Sequence, residues 1–242
     1  MKNLTISFFV LFFIGCQSNT DNKNNSTEQS TNLEVSSHNS CLLDFSTHMN
    51  DLLDKKSVAS IFNIEPENIE MRFNKMKKPE STNLQFEWEE GRKLRMKSGL
   101  ELPLKNSLYI GYIKELASIK ESNISSREAF RNMYRVSTEK EIEELKEAFR
   151  QKAKDENISD EGSASGSQMI ESAMKVEYET VKSLGDEAVW RNYPEASGGG
   201  GELIILLGNY TFGVNLNVSD NQEENKLKAI SIAKNVLSQC SK

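Results

Sequence analysis

The chain has 242 residues, 37% of them hydrophobic, and a formal net charge of −6. That length leaves room for one domain of ordinary size or two very small ones. The acidic balance argues against a nucleic-acid partner, which would need a basic surface to neutralise phosphates.

The first sixteen residues open with Lys2, run apolar from Leu4 to Ile14 and close on Gly15-Cys16. A charged start, a short apolar core and a small residue make an export signal. A membrane span would need about 20 apolar residues. The last four, Phe13-Ile14-Gly15-Cys16, resemble the lipobox of bacterial lipoproteins, with Phe13 where leucine is usual. The resemblance implies removal of residues 1–15 as a signal peptide, acylation of Cys16 (palmitate among the chains) and a protein held on a membrane by its N-terminal acyl groups. Gln17 stands where, in enteric-type sorting, an aspartate would imply retention in the inner membrane. The expected location is therefore the bacterial cell envelope, on the outer membrane.

Residues 16–40 are rich in Asn, Ser, Thr and Gln, with Leu33 and Val35 as the large aliphatics. Such a stretch buries too little surface to offset its ordering entropy, so it is expected to be a disordered tether with a reach of roughly 25–30 Å. Residues 41–242 are expected to form a single domain. Leu52, Leu53, Val58, Ile61 and Phe62 suggest a first helix ending before Pro66. Ile69, Met71 and Phe73 alternate with polar residues, as do Leu84, Phe86 and Trp88. Glu90-Gly91 suggests a turn, with Leu94 and Met96 on the returning strand, and Leu108–Ile113 suggests a further strand.

A charged helical region follows. Ser126 to Tyr134 and Thr138 to Ala153 read as capped helices, the second with a core stripe of Ile142, Leu145, Phe149 and Ala153. Asp160 to Ser167 reads as a flexible loop and Gln168 to Val181 as a third helix. The last third reads as strands at Glu187–Arg191, Leu203–Leu207 and Tyr210–Val218, with a Gly208-Asn209 hairpin turn. A terminal helix then carries Leu227, Ile230, Ala233, Leu237 and Cys240 on one side. Runs of strands joined by tight turns point to an α+β fold, mainly antiparallel sheet packed against helices. A hairpin beside a helix in each half is the pattern of two related halves.

With Cys16 acylated, Cys41 and Cys240 remain as an even pair in an exported chain. They are expected to form a disulfide joining the ends of the domain; the alternative is two separate buried thiols. No metal and no cofactor are expected, since His38 and His48 are the only histidines and no ligand spacing is present. Gly162-Ser-Ala-Ser-Gly166 has the frame of a nucleophile elbow with Ala164 at the nucleophile position. Gly198 to Gly201 feeds a strand and not a helix, which argues against a phosphate cradle. Glu87, Glu89 and Glu90 read as a solvated sheet face. Trp88, Tyr109, Tyr112, Trp190, Tyr193 and Tyr210 are candidates for a ligand groove, with core packing as the default.

The segment Gly185-Asp186-Glu187-Ala188-Val189-Trp190, just before the last hairpin and helix, is similar to a stretch in small uncharacterised envelope lipoproteins. That resemblance implies no activity. Asp186 and Glu187 are the best acid/base candidates, but strand neighbours point to opposite faces. The expected function is therefore non-enzymatic: a membrane-anchored envelope lipoprotein that binds a protein partner or an apolar ligand. The alternatives are a structural subunit of an envelope assembly and a carboxylate-dependent envelope hydrolase.

Overall fold

A computed structural model describes residues 36–45, 48–96, 98–116, 124–194 and 198–240. Its elements are α1 (Ser36–Phe45), α2 (Lys55–Phe62), β1 (Glu70–Asn74), β2 (Asn83–Trp88), β3 (Lys93–Arg95), β4 (Glu101–Pro103), β5 (Asn106–Glu115), α3 (Ser126–Met133), α4 (Glu139–Asp155), α5 (Asp160–Met174), β6 (Glu179–Thr180), β7 (Glu187–Asn192), β8 (Gly201–Leu207), β9 (Tyr210–Asn217) and α6 (Gln222–Cys240). The fold is α+β. Seven strands form an antiparallel sheet in the order β1-β2-β5-β9-β8-β7-β6, and β3 and β4 pair separately.

The strand order contains two similar runs of three strands. β1-β2-β5 and β7-β8-β9 are each a meander, and their last strands, β5 and β9, pair antiparallel. A half-turn about the sheet normal exchanges the two meanders. The helices do not repeat with them: α2 precedes the first meander, and α6 follows the second.

Alternation sorts the sheet into two faces. Phe73, Leu84, Ile110, Val214, Leu203 and Trp190 lie in register across six strands. This row belongs to the main core, to which α2 gives Val58 and Ala59 and α6 gives Ala229, Ile232, Ala233 and Val236. Each large side chain so buried contributes about 1.5–3 kcal/mol. The opposite face has a smaller core at the β7–β8 end, where Val189, Ile204 and Leu206 meet Ala129 and Phe130 of α3.

Cys41 and Cys240 are bonded, with Cα atoms 5.5 Å apart, so the bridge ties α1 to the end of α6. Residues 16–35 lie outside the described residues. Ser36–Phe45 is helical, so the expected boundary of the tether at residue 40 falls inside α1.

Several element readings need correction. β2 is flanked by β1 and β5, with Asn106 opposite Trp88, so the chain after Gly91 has no free edge to return along. It pairs β3 with β4 instead. The stretch read as a loop, Asp160 to Ser167, is the first half of α5. Ser159 caps it by accepting from the Gly162 N–H at 3.2 Å, and Asp160 and Glu161 complement the helix dipole. The helix stops at Met174, short of Val181, because Thr180 pairs with Val189 of β7.

On α4, Leu145 is exposed; Lys146 turns inward instead and bridges Glu143 and Glu171 at 2.6 and 3.2 Å. On α6, Leu227 is 58% exposed, and the buried stripe runs through Asn225, Ala229, Ile232, Ala233 and Val236. Small alanines let the helix approach the sheet. Asn225 is fully buried, and its side-chain oxygen accepts from the N–H groups of Val218 and Ser219 at 3.0 and 3.1 Å. That bond pair fixes the turn from β9 into α6.

Candidate functional site

One residue along from the apolar row, every side chain changes face and character. Arg72, Gln85, Tyr109, Asn215, Glu202 and Arg191 lie in register across β1, β2, β5, β9, β8 and β7. All six are polar, and Gln85, Tyr109, Asn215, Glu202 and Arg191 are half-buried. Among the described residues, α3 packs on the β7–β8 end of this face.

The row is internally bonded. The Gln85 amide donates to the Tyr109 hydroxyl at 3.0 Å, and that hydroxyl donates to Glu87 at 3.4 Å. Asn74 donates to Asn83 at 2.9 Å and to Gln85 at 3.3 Å. At the other end Arg191 Nε donates to Glu202 at 2.7 Å, and its guanidinium lies 5.3 Å from the Tyr193 ring centroid. The Tyr193 hydroxyl donates to the Asn215 side-chain oxygen.

The next row has a depression at its centre, because β5 and β9 place Gly111 opposite Gly213. A Cβ on Gly111 would meet the Thr82 carbonyl oxygen at 2.5 Å, and its φ of +143° is open to glycine. Beside it the pairing slips between Gly111 and Lys114, a bulge that holds Tyr112 at a φ of 55°. The Tyr112 N–H donates to Thr82 O at 3.0 Å. Tyr112, Tyr134, Glu202, Thr211 and Gly213 thus line a cavity of about 140 Å³. Tyr134 caps the C-terminus of α3 and forms its wall.

Burial, reinforced by the Glu202 carboxylate, pushes the hydroxyls of Tyr134 and Tyr193 up to about 12. Burial also raises Tyr109, with the Glu87 charge adding, and Tyr112, with Glu202 adding. All four phenols therefore keep their protons at neutral pH, and those of Tyr109 and Tyr193 donate, to Glu87 and Asn215. The Glu202 carboxylate, 14% exposed, is matched by Arg191. The arrangement is a hydrogen-bonding surface with one compensated ion pair.

The acid/base candidates of the sequence have another task. Arg127 of α3 donates to Asp186 at 3.0 Å, and Arg131, one turn on, pairs with Glu187. Asp186 also accepts from the Gly208 N–H at 2.7 Å. The two carboxylates dock α3 on the sheet edge. Ala188 and Trp190 face the main core, as the alternation predicts.

The six aromatic candidates divide by face. Trp88 and Trp190 are in the main core, and Tyr210 packs against it, whereas Tyr109, Tyr112 and Tyr193 line the polar face. Glu87 joins the row, and Glu90 accepts from the buried Asn106 amide. The Gly162–Gly166 frame is helical. The Gly198 to Gly201 run feeds β8, where Gly201 lies against the Trp190 ring. Cys16 lies outside the described residues. Among the described residues, no three His, Cys, Asp or Glu side chains come together in a way that could hold a metal ion.

Sequence reasoning missed the row as a unit. Its members sit on the outward positions of separate alternating strands, and only the pairing register aligns them. Comparison with protein-family models, with curated proteins and with solved structures finds no match.

Proposed function

We propose that this chain is a non-enzymatic binding module of the bacterial cell envelope, tethered by an acylated Cys16 after removal of residues 1–15 and recognising a protein partner through the polar row. The observation that supports binding is the row itself: six polar side chains in register, five of them half-buried, beside a glycine-floored depression. Half-buried tyrosines and an arginine are the residue types that anchor protein interfaces. The depression holds only about 140 Å³ and mixes Ile204 and Phe212 with Tyr112, Tyr134 and Glu202, which suits a single side chain of a protein partner better than a separate ligand. The tether rests on the likeness of Phe13-Ile14-Gly15-Cys16 to a lipobox.

One experiment tests both parts. The protein is extracted from envelope membranes in mild detergent, and its mass and co-purifying proteins are compared with those of two variants. The extracted protein should carry a lipid adduct on Cys16 and lack residues 1–15. Cys16→Ser should move it to the soluble fraction. Tyr109→Ala with Asn215→Arg should leave it membrane-bound and folded but lose a stoichiometric partner. A form retaining Met1, or a partner retained by the double variant, contradicts the corresponding part.

A further inference from the structure

The β3–β4 hairpin, apart from the main sheet, sorts its side chains by face. Leu94 is opposite Leu102 and Arg95 opposite Glu101. The Met96 N–H closes the turn onto the Leu100 carbonyl at 2.8 Å. Alternation then places Leu94, Met96, Leu100 and Leu102 on one side, and Lys93, Arg95 and Glu101 on the other. Met96, Leu100 and Leu102 are 42%, 57% and 41% exposed. A two-stranded hairpin is marginal in water by itself, and this one presents an apolar side to it.

Its charge opposes that of the chain. Residues 92–105 hold five cations and one carboxylate within a sequence of net charge −6. At the base, Arg92 pairs with Asp220 at 2.8 Å and with Asn106 and Asn217, and Lys105 lies 3.7 and 4.0 Å from Glu70 and Glu89. Within the hairpin, Lys93 contacts Glu101 at 3.0 Å, and Arg95 stands opposite Glu101 in register. Among the described residues, Arg95 thus adds positive charge beside the exposed apolar side chains, with Lys93 held by Glu101.

We infer that the hairpin is a membrane-contacting finger. It lays Leu94, Met96, Leu100 and Leu102 into the boundary between headgroups and acyl chains of an anionic bilayer, with Lys93 and Arg95 toward lipid phosphates. The inference rests on the tethered reading, which brings the domain to a bilayer. The apolar side alone would suit a protein as well; the cation excess, opposite in sign to the remainder of the chain, selects an anionic lipid surface. The whole-chain charge conceals this patch because acidic residues elsewhere outnumber it.

The test places an indole on the finger with Leu100→Trp in the full-length acylated protein, mixed with protein-free vesicles of phosphatidylglycerol and phosphatidylcholine. Trp88 and Trp190 are buried and give a background measured on the parent protein. The introduced indole should shift to the blue and be quenched by lipids brominated on the acyl chain. In the full-length Cys16→Ser protein the quenching should persist at higher lipid concentration, and Arg95→Gln should weaken that partitioning about fivefold. Persistence there supports the finger even if the tether reading fails. An unquenched indole on vesicle-bound acylated protein overturns the finger and leaves the tether standing. An indole that shifts only after envelope proteins are added overturns the lipid assignment and gives the face to a protein.

Discussion

Tyr134 and Tyr193 both feel the Glu202 charge, and burial above all holds both hydroxyls up to about 12 against about 10 in an unfolded chain. The sign of the resulting pH dependence follows. Below pH 10 both states keep their protons, and the contribution is fully present. Between about 10 and 12 the unfolded chain releases protons that the folded one retains, so folded stability falls as pH rises through that window. Urea midpoints measured from pH 9 to 12 should decline, and Tyr134→Phe with Tyr193→Phe should flatten the decline. An unchanged slope in the double variant would mean that these phenols are not buried near the Glu202 carboxylate. Singly, such residues were legible: Gln85 and Asn215 are outward positions of strands that the alternation identifies. Their assembly with Tyr109, Glu202 and Arg191 was not, because register is a long-range property. Asp186 and Glu187 were visible as a pair, but their partners Arg127 and Arg131 come from a helix about sixty residues earlier.

Among the elements, the α4–α5 hairpin departs most from its local sequence. Glycine and serine in residues 160–167 favour a loop. Tertiary contact reverses that preference, because α5 presses Gly166 against Phe149 of α4: a Cβ at Gly166 would lie 2.2 Å from the ring. Two effects of Gly166→Ala therefore oppose each other. Helix propensity favours alanine by about 1 kcal/mol. Overpacking against an aromatic ring costs about 1–3 kcal/mol. The second should win, lowering the urea midpoint and loosening the hairpin, as hydrogen exchange along α4 and α5 would report. A stabilised variant would mean that the helices do not pack through this glycine. α6 departs from its apolar pattern for a related reason. Leu227 is apolar but points to water, whereas Asn225 is polar and buried, so hydrophobicity alone rotated the predicted stripe.

Across the whole molecule, the α+β class and the antiparallel pairing follow from tight turns and alternation. Both cysteines of the bridge were also legible. The separation of 199 residues places the bridge at the high end of the chain-entropy model, about 5 kcal/mol. It ties α1 to α6, the helix that covers the apolar face of β8 and β9. The polar row lies across the other face of the same strands. One face carries the main core, and we propose that the polar row on the other is offered to a partner.

The most direct test of that claim is site-specific photocrosslinking in intact cells. A photoreactive amino acid is placed in turn at Gln85, Tyr109 and Asn215 in the row, and at Glu144 on the outer side of α4. One adduct of the same mass is expected from all three row positions and none from Glu144. Adducts of unrelated mass from the row, or an equal yield from Glu144, would contradict it.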